Sequence, residues 1–429
     1  MTFFIKKQNR KKDKMAKFSP VPGTADIFPE ESAAYKRIED CGAEIFSRYG
    51  YGELRTPIFE YTEVFQRGLG DQTEVVQKEM YTFEDRGGRS LTLRPEGTAG
   101  VMRALLNTDV MNGVEQRVFY HGPMFRGERP SAGRRRQFHQ IGVENVGKIA
   151  PELDAECIAM LNHFLEEIGL SDVTIKINTR GIMSDRVESG NALRKYFSEH
   201  IDDMCEDCKN RLEKNIWRIL DCKQEHCRKI IANAPDYLQF FSDESRKYFE
   251  TVCKTLDALQ VKYEIDPLLV RGLDYYVHTV FELSHSSLGE QIAIAGGGRY
   301  ELYLPGQNRP LQGVGFAAGI ERLLMVQEML NVAKVQAKQD KKIFLVGLGD
   351  EARIANIELA QILRKKGLQV ALEVESKSMK AQMRSANNFG AAKVIIRGLD
   401  ELNAGTAAVK DMESGEQEII QYNDLINKF

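Results

Sequence analysis

Arg126 and Glu128 are followed by Pro130, Gly133 and the consecutive arginines Arg134 to Arg136, and then by an alternating run that opens at Phe138. In that run Gln140, Gly142 and Glu144 take one parity while Ile141, Val143 and Asn145 take the other, the period of a strand with two unlike faces. The stretch 125–147 therefore predicts a hairpin, with strand-like ends at Arg126 to Glu128 and at Phe138 to Val143 and a cationic tip between them. A guanidinium is a planar fork that matches phosphate oxygens, and a carboxylate accepts from an amino group such as that of adenine. Such residues at the base of a hairpin suit a nucleoside triphosphate. An ordinary exposed hairpin with a solvated charge run accounts for the same residues. The hairpin alone leaves both readings open.

The elements that would position it are legible in outline. Glu31 to Arg48 has helical spacing, with Ala34, Ile38, Cys41, Ile45 and Tyr49 on one stripe. Gly52-Glu-Leu-Arg-Thr-Pro57 follows as a strand whose proline belongs at an edge or an interface. Tyr81 to Phe83 and Ser90 to Arg94 read as a hairpin, 152–168 as an amphipathic helix and 173–178 as a strand. From about 183 to 260 the chain is helix-rich and more polar, which suits an insertion. Strands return at 274–283 and 290–295, and a glycine-rich approach, Gly313 to Gly319, leads into a helix carrying Glu321 and Arg322. A polar linker over 334–341 then marks a domain boundary. Beyond it, strands at 343–346, 369–374 and 393–396 alternate with helices at 351–366 and 379–389, the pattern of a small α/β domain over 342–429 with a largely parallel sheet. Gly347-Leu-Gly349 lacks the rest of a dinucleotide fingerprint and reads as a turn.

With 429 residues the chain has room for two or three domains, each able to bury a core. A net charge of −3 carries no global basic footprint, so any RNA contact must come from local patches. No apolar run is long enough to span a bilayer, and no secretory signal is present. Residues 1–17 are basic and read as a disordered tail, or as upstream sequence ahead of a start at Met15. Seven cysteines, an odd number without a signal peptide, point to a reducing cytosol. Cys205, Cys208, Cys222 and Cys227 cluster beside His226. Two readings stay open for them: a structural zinc site, or reduced cysteines in a small helical insert. No metal ligand is assigned.

Several of these stretches resemble one family. Phe125-Arg-Gly-Glu-Arg129 with Arg136-Gln-Phe-His-Gln140 resembles motif 2 of the class II aminoacyl-tRNA synthetases, Gly313 to Leu323 resembles motif 3, and Glu53-Leu-Arg-Thr-Pro57 resembles the dimer-interface motif 1. Arg271-Gly-Leu-Asp-Tyr-Tyr276 with Thr279-Val-Phe-Glu282, and Gly296-Gly-Gly-Arg-Tyr300, resemble two signatures peculiar to the histidyl-tRNA synthetase family, over a match from about Val21 to the C-terminus. The resemblance implies an α+β catalytic domain over 18–333, an antiparallel sheet flanked by helices with the helical insertion at 183–260, and an α/β anticodon-binding-like domain over 342–429. It implies ATP with Mg2+, L-histidine and tRNA(His) as substrates, a cytoplasmic homodimer, and no membrane.

Residue roles follow from the resemblance alone. Arg126 would grip the α-phosphate, Glu128 and Phe138 would hold adenine, and Arg322 would lie against the distal phosphates. Arg271 would be the catalytic arginine at the reacting phosphate and carboxylate. Glu96, Gly97 and Thr98, with Gln140 nearby, match the positions that hold the α-amino group, while Glu144 and Tyr275 match those reaching the imidazole and Tyr276 lines the same pocket. The family's glycine-rich signature usually continues Arg-Tyr-Asp-Gly. Here Glu301-Leu302 follows, which implies a changed turn outside the pocket. The other reading is a non-catalytic synthetase-like paralogue, a regulatory subunit of histidine biosynthesis or an RNA-binding protein.

Overall fold

The alternation at 140–145 becomes a strand, Gln137–Val146, which in the computed structural model pairs antiparallel along its whole length with Gln116–Phe125. The structure describes residues 19–70, 73, 75–131, 133–272, 275–288, 293–332 and 342–429; the basic segment 1–17, the linker 334–341, and Leu273 and Asp274 fall outside them. Arg126 and Glu128 lie beyond the strand rather than in it. The Gly127 N–H donates to Glu79 O at 2.7 Å, and that contact turns the chain off the ladder.

This hairpin sits in an eight-stranded sheet. Its order is Gly52–Glu53, Gln116–Phe125, Gln137–Val146, Leu311–Gly319, Ala293–Leu302, Tyr276–His285, Val173–Thr179 and Glu264–Ile265. The two outermost pairs are parallel and the inner pairs antiparallel. Of the proline-ended stretch 52–57 only Gly52–Glu53 pairs as a strand, with Leu54 N–H donating to Phe119 O at 2.8 Å. Glu301 and Leu302, expected in a turn, end the strand Ala293–Leu302. Leu302 is buried in the core and Glu301 accepts from the Gln312 amide at 2.5 Å, so apolar burial and a cross-strand bond replace the turn.

The sheet separates two apolar layers. One parity packs Phe119, Ile141, Val143, Phe281 and Phe316 against the helices Pro29–Arg48 and Pro151–Glu167. The other carries Tyr120, Tyr276 and Tyr300. Pro29 opens the first helix where a missing N–H costs nothing, and Glu30 and Glu31 complement its dipole. Its buried face is Tyr35, Ile38, Gly42, Ile45 and Phe46, displaced from the Ala34–Cys41 stripe. Gly42 explains the displacement: a Cβ there would lie 2.3 Å from the Ile141 side chain, so the helix can press onto the hairpin only along its glycine. Phe46 then meets Phe164 and Phe316 at centroid distances of 5.3 and 5.7 Å.

Between the strands Val173–Thr179 and Glu264–Ile265 the chain is helical. Met183–Glu199, Glu206–Lys214 and Glu225–Ile231 share a separate core around Phe197, Trp217 and Tyr237. Asp243–Ala258 instead buries Val252 and Leu256 in the main core beside Pro151–Glu167. The chain divides into two compact units at Val332 and Ala333. In the second, Gln369–Leu372, Lys342–Gly347 and Lys393–Arg397 are parallel neighbours, and Thr406–Asp411 and Gln417–Gln421 extend the sheet antiparallel. Gln382 engages both the N–H and the C=O of Gly347, closing that turn from within. Among the described residues no helix is long and apolar enough to cross a membrane.

One buried ion pair fixes the glycine-rich strand to the helical layer. Arg299 donates from Nε and Nη2 to Asp154 at 2.7 and 2.5 Å, and from Nη1 to Lys148 O at 2.9 Å, with both side chains almost wholly excluded from solvent. Asp154→Ala strands that guanidinium and should cost about 3–5 kcal/mol. Urea unfolding of the full chain should show the transition of the larger unit moving to lower denaturant while that of the smaller unit stays in place.

Candidate active site

The strand Gln137–Val146 turns Gln140, Gly142 and Glu144 to the face opposite Ile141 and Val143. Glu144 is almost fully buried and its carboxylate is met on both oxygens: Thr98 Oγ1 donates to one and the Tyr300 hydroxyl to the other, each at 2.7 Å. Burial first, and the Glu96 charge beside it, push its pKa from 4.5 up to about 8, against the pull of the two hydroxyls. Gly315 faces it across the sheet, where a Cβ would stand 2.0 Å from Glu144 Oε2 and 2.3 Å from Val143 O. The glycine-rich strand is thus shaped around a carboxylate.

Glu96, Gly97 and Thr98 form the entry to the helix Thr98–Leu105. Glu96 accepts from the N–H groups of Thr98 and Ala99 at 2.7 and 2.8 Å, placing negative charge at a helix start, where the dipole favours it. Gly97 is needed for a different reason. A Cβ there would lie 2.2 Å from the Tyr120 ring. Tyr275 and Tyr276 stand beside this network, their centroids 4.7 Å apart and Tyr275 5.7 Å from Tyr300. Burial pushes all four phenols, Tyr120, Tyr275, Tyr276 and Tyr300, upward, so each stays neutral and able to donate. Gln140 keeps a buried amide oxygen with no partner among the described residues.

A second group is cationic. Arg126 donates from Nε to Pro95 O at 2.9 Å and holds its guanidinium 5.3 Å from the centroid of the Phe138 ring. Arg322, on the helix Ile320–Met329, donates to Gly133 O at 3.1 Å and to Ala293 O at 2.5 Å. Its charged form is disfavoured by burial and then by the charges of Arg134 and Arg126, with Glu128 opposing them. Glu128 itself lies 3.6 Å from Arg134. Guanidinium groups held close enough to repel one another favour an anion between them. Arg271 pairs with Glu282 at 2.6 Å and lies over Gly296, where a Cβ would come within 2.7 Å of its Nη1. Its Nε is buried without a partner among the described residues.

The structure thus brings Glu96, Gly97, Thr98, Glu144, Tyr275 and Tyr276 into one buried polar group, sets Arg126 and Phe138 together at the hairpin base, pairs Glu128 with Arg134, and holds Arg322 to the loop at Gly133. Gln140 lies on the same strand face as Glu144, but four residues along it. Tyr120, Tyr300, Glu282 and Glu321 had no role assigned from sequence. Glu321 accepts from the His139 N–H at 3.0 Å and meets its Nδ1 at 3.0 Å, tying the motif 3 helix to the hairpin. Its place beside Arg322, and that of Glu282 in the Thr279 to Glu282 segment, were the available signals. Nothing local marks Tyr120.

Comparison with known proteins finds relatives along nearly the whole chain. Residues 23–323 match the family model described as "Histidyl-tRNA synthetase", and residues 342–429 the one described as "Anticodon binding domain". A protein of Halothermothrix orenii named "Histidine--tRNA ligase" is 48% identical over 408 residues, covering 95% of this chain and 97% of the relative. One of Shouchella clausii named "Histidine--tRNA ligase 1" is 45% identical, covering 94% and 96%. The apo crystal structure of S. aureus histidyl-tRNA synthetase superposes with a TM-score of 0.79 at 37% identity, covering 96% of this chain and all of that one.

The packing around Glu144 can be tested in two ways. Gly315→Ala forces a methyl against backbone as well as the carboxylate and should cost about 1–3 kcal/mol, read as a lowered midpoint of thermal unfolding. The pH dependence has a definite sign. The folded protein holds the Glu144 proton up to about pH 8, whereas the unfolded chain releases it near 4.5, so this group's contribution falls as pH rises through that window and is level above it. Glu144→Gln has no such proton, and its stability relative to wild type should climb from pH 5 to pH 8. A difference that stays flat across the window would refute the raised pKa.

Proposed function

This chain belongs to the histidyl-tRNA synthetase family, and we propose that the pocket built on Glu144 and the arginines at the hairpin base carry out its reaction as a histidine–tRNA ligase. In the first step a carboxylate oxygen of L-histidine attacks the α-phosphorus of ATP. The bond to the bridging oxygen of the β-phosphate breaks, giving histidyl-adenylate and pyrophosphate. In the second, the 3′-hydroxyl of the terminal adenosine of tRNA(His) attacks the activated carbonyl and AMP leaves. ATP is taken as its Mg2+ complex.

The observation that carries the reading is the buried carboxylate of Glu144, set among neutral phenols. An imidazole offers one donor and one acceptor nitrogen. Histidine binding draws the Glu144 carboxyl into its ionised form, its proton passing to solvent, so that its remaining lone pairs accept from one nitrogen while Tyr275 donates to the other; an apolar side chain offers neither bond, which is how such a site rejects it. The α-ammonium is met by Glu96, Thr98 and the unpartnered Gln140 oxygen, and Tyr276 closes the pocket. Arg126 takes the α-phosphate, Glu128 and Phe138 take adenine, and Arg322 takes the distal phosphates. Arg271 stabilises charge as the pentavalent phosphorus forms, with Glu282 holding its fork.

The partners are supported separately. Ile58, Phe59, Tyr61 and Phe83 leave large apolar surface exposed on and beside the small sheet of Phe59–Tyr61, Ser90–Leu93 and Thr82–Glu84, the surface a second copy would cover in a homodimer. For tRNA, Arg134 to Arg136 offer phosphate contacts at the hairpin tip. In the smaller unit Lys377 pairs with Glu373 and Lys393 with Asp411, and Arg397 packs on Tyr422. Lys380 and Arg384 remain exposed on the helix Met379–Phe389. Cysteine usage supports a cytoplasmic location.

ATP–pyrophosphate exchange that requires histidine is the decisive assay, and its absence in the full chain would leave a non-catalytic paralogue. Arg271→Ala should lower the exchange rate about 100- to 1,000-fold with a much smaller change in histidine affinity. Equal losses in rate and affinity would make Arg271 a wall of the pocket instead.

A further inference from the structure

The segment between Val173–Thr179 and Glu264–Ile265 contains a cluster that the ligase reaction does not use. Cys205, Cys208, Cys222 and Cys227 bring their four sulfurs within 4.8 Å of one another, and Cys205 and Cys222 are 3.8 Å apart. A disulfide requires about 2.05 Å, so at this separation the two sulfurs are not bonded to each other. A tetrahedral ion with bonds of about 2.3 Å to sulfur sets its ligands about 3.8 Å apart, which is the Cys205–Cys222 separation. We propose that these thiols form a structural zinc site, with all four sulfurs as ligands, that staples the helical insert.

The surrounding chain supports this ligand set. Cys205 is the N-cap of the helix Glu206–Lys214 and Cys208 lies in its first turn, so the first pair sits where a helix dipole favours thiolate. The Cys205 N–H donates to Cys227 Sγ at 3.2 Å, a bond across the cluster to a sulfur acting as acceptor. Three of the four residues are buried, and His226, next to Cys227 in sequence, is exposed and outside the group.

The insert also has a structural need for a cross-link. The elements that carry or join the cysteine pairs are short: a 3-10 turn at Ile216–Ile219 between the pairs, and a helix of seven residues, Glu225–Ile231, that holds Cys227. Helices of that length are marginal without tertiary support. Its separate core is small, and Cys208, Cys222 and Cys227 are themselves part of it. Coordinating one ion at those positions fixes the two pairs in register, and each bound thiol gives up its proton to solvent. Thiolate ligands in tetrahedral array select zinc or an iron–sulfur centre. Four sulfurs this close enclose a single ion rather than a cluster.

The test is metal analysis of the full-length protein, purified without chelator from zinc-supplemented culture. About one zinc per chain is expected, falling to less than about a tenth in Cys222→Ser and unchanged in Cys253→Ser, whose thiol lies outside the group. Because Cys222→Ser also alters a core position, cobalt exchanged into the wild-type protein supplies an independent readout. The visible ligand-field bands and near-ultraviolet thiolate-to-cobalt charge transfer of a tetrahedral sulfur site support the proposal. Wild-type protein without zinc and with these thiols free, a Cys205–Cys222 disulfide in mass spectrometry, or bound iron with visible absorption each overturns it.

Discussion

A carboxylate removed from water must find donors, and around Glu144 that requirement organises the catalytic unit. An ionised group in a dry interior costs several kcal/mol unless its oxygens are hydrogen-bonded. Thr98 and Tyr300 supply those bonds from two segments distant in sequence, one at a helix entry and one near the end of the glycine-rich strand. Gly315 gives the carboxylate its space, and Gly97 gives Tyr120 the same freedom next to it. One glycine and two hydroxyls are therefore committed by the Glu144 side chain, and a second glycine by the Tyr120 ring beside it. In return the site holds a carboxyl that keeps its proton up to about pH 8 and that a donating ligand would draw into its ionised form.

Tyr300 reaches Glu144 because its predecessor is anchored on the opposite side of the sheet. Alternation sends Arg299 toward the helix Pro151–Glu167, where Asp154 and two backbone carbonyls receive it, and sends Tyr300 toward the pocket. A strand held this way cannot slip by one residue without exchanging the two side chains. The apolar layer under the sheet, centred on Phe46, Phe164 and Phe316, supplies cohesion. The polar pocket above it can then be rich in groups that contribute little to stability. Arg271 and Arg322 have a similar dependence: Glu282 orients the one and backbone carbonyls the other, so the protein itself fixes where both cations stand.

Residue types told much about this protein without any structure. The parity of 140 to 145 specified a two-faced strand, the spacing after 31 a helix, and the repeat after 342 an α/β unit, because backbone periodicity is local and independent of what packs nearby. The motif residues, read by resemblance, were sufficient to name the family, and the structure brings those around Glu144 into one buried group. What local pattern could not supply was register and approach. Ala34 and Cys41 fitted the helical period as well as Tyr35 and Gly42 did, and only the closeness of Ile141 chose between them. Glu301 and Leu302 suggested a turn until a cross-strand partner and a core position kept them in a strand. Arg126 and Glu128 fitted a strand until Gly127 bonded to Glu79.

The sequence by itself determined which chemical groups this protein has and on which kind of element each one sits, since those follow from side-chain type and a period of two or 3.6 residues. Only the tertiary structure decided which groups meet. It set Tyr300 and Thr98 on Glu144, Glu282 on Arg271 and Glu321 on His139, and it closed four cysteines into one tetrad. The reason is physical. Such contacts depend on strand register and on distances of a few tenths of an ångström across segments far apart in the chain, and these are fixed by the whole packed core rather than by any window of residues.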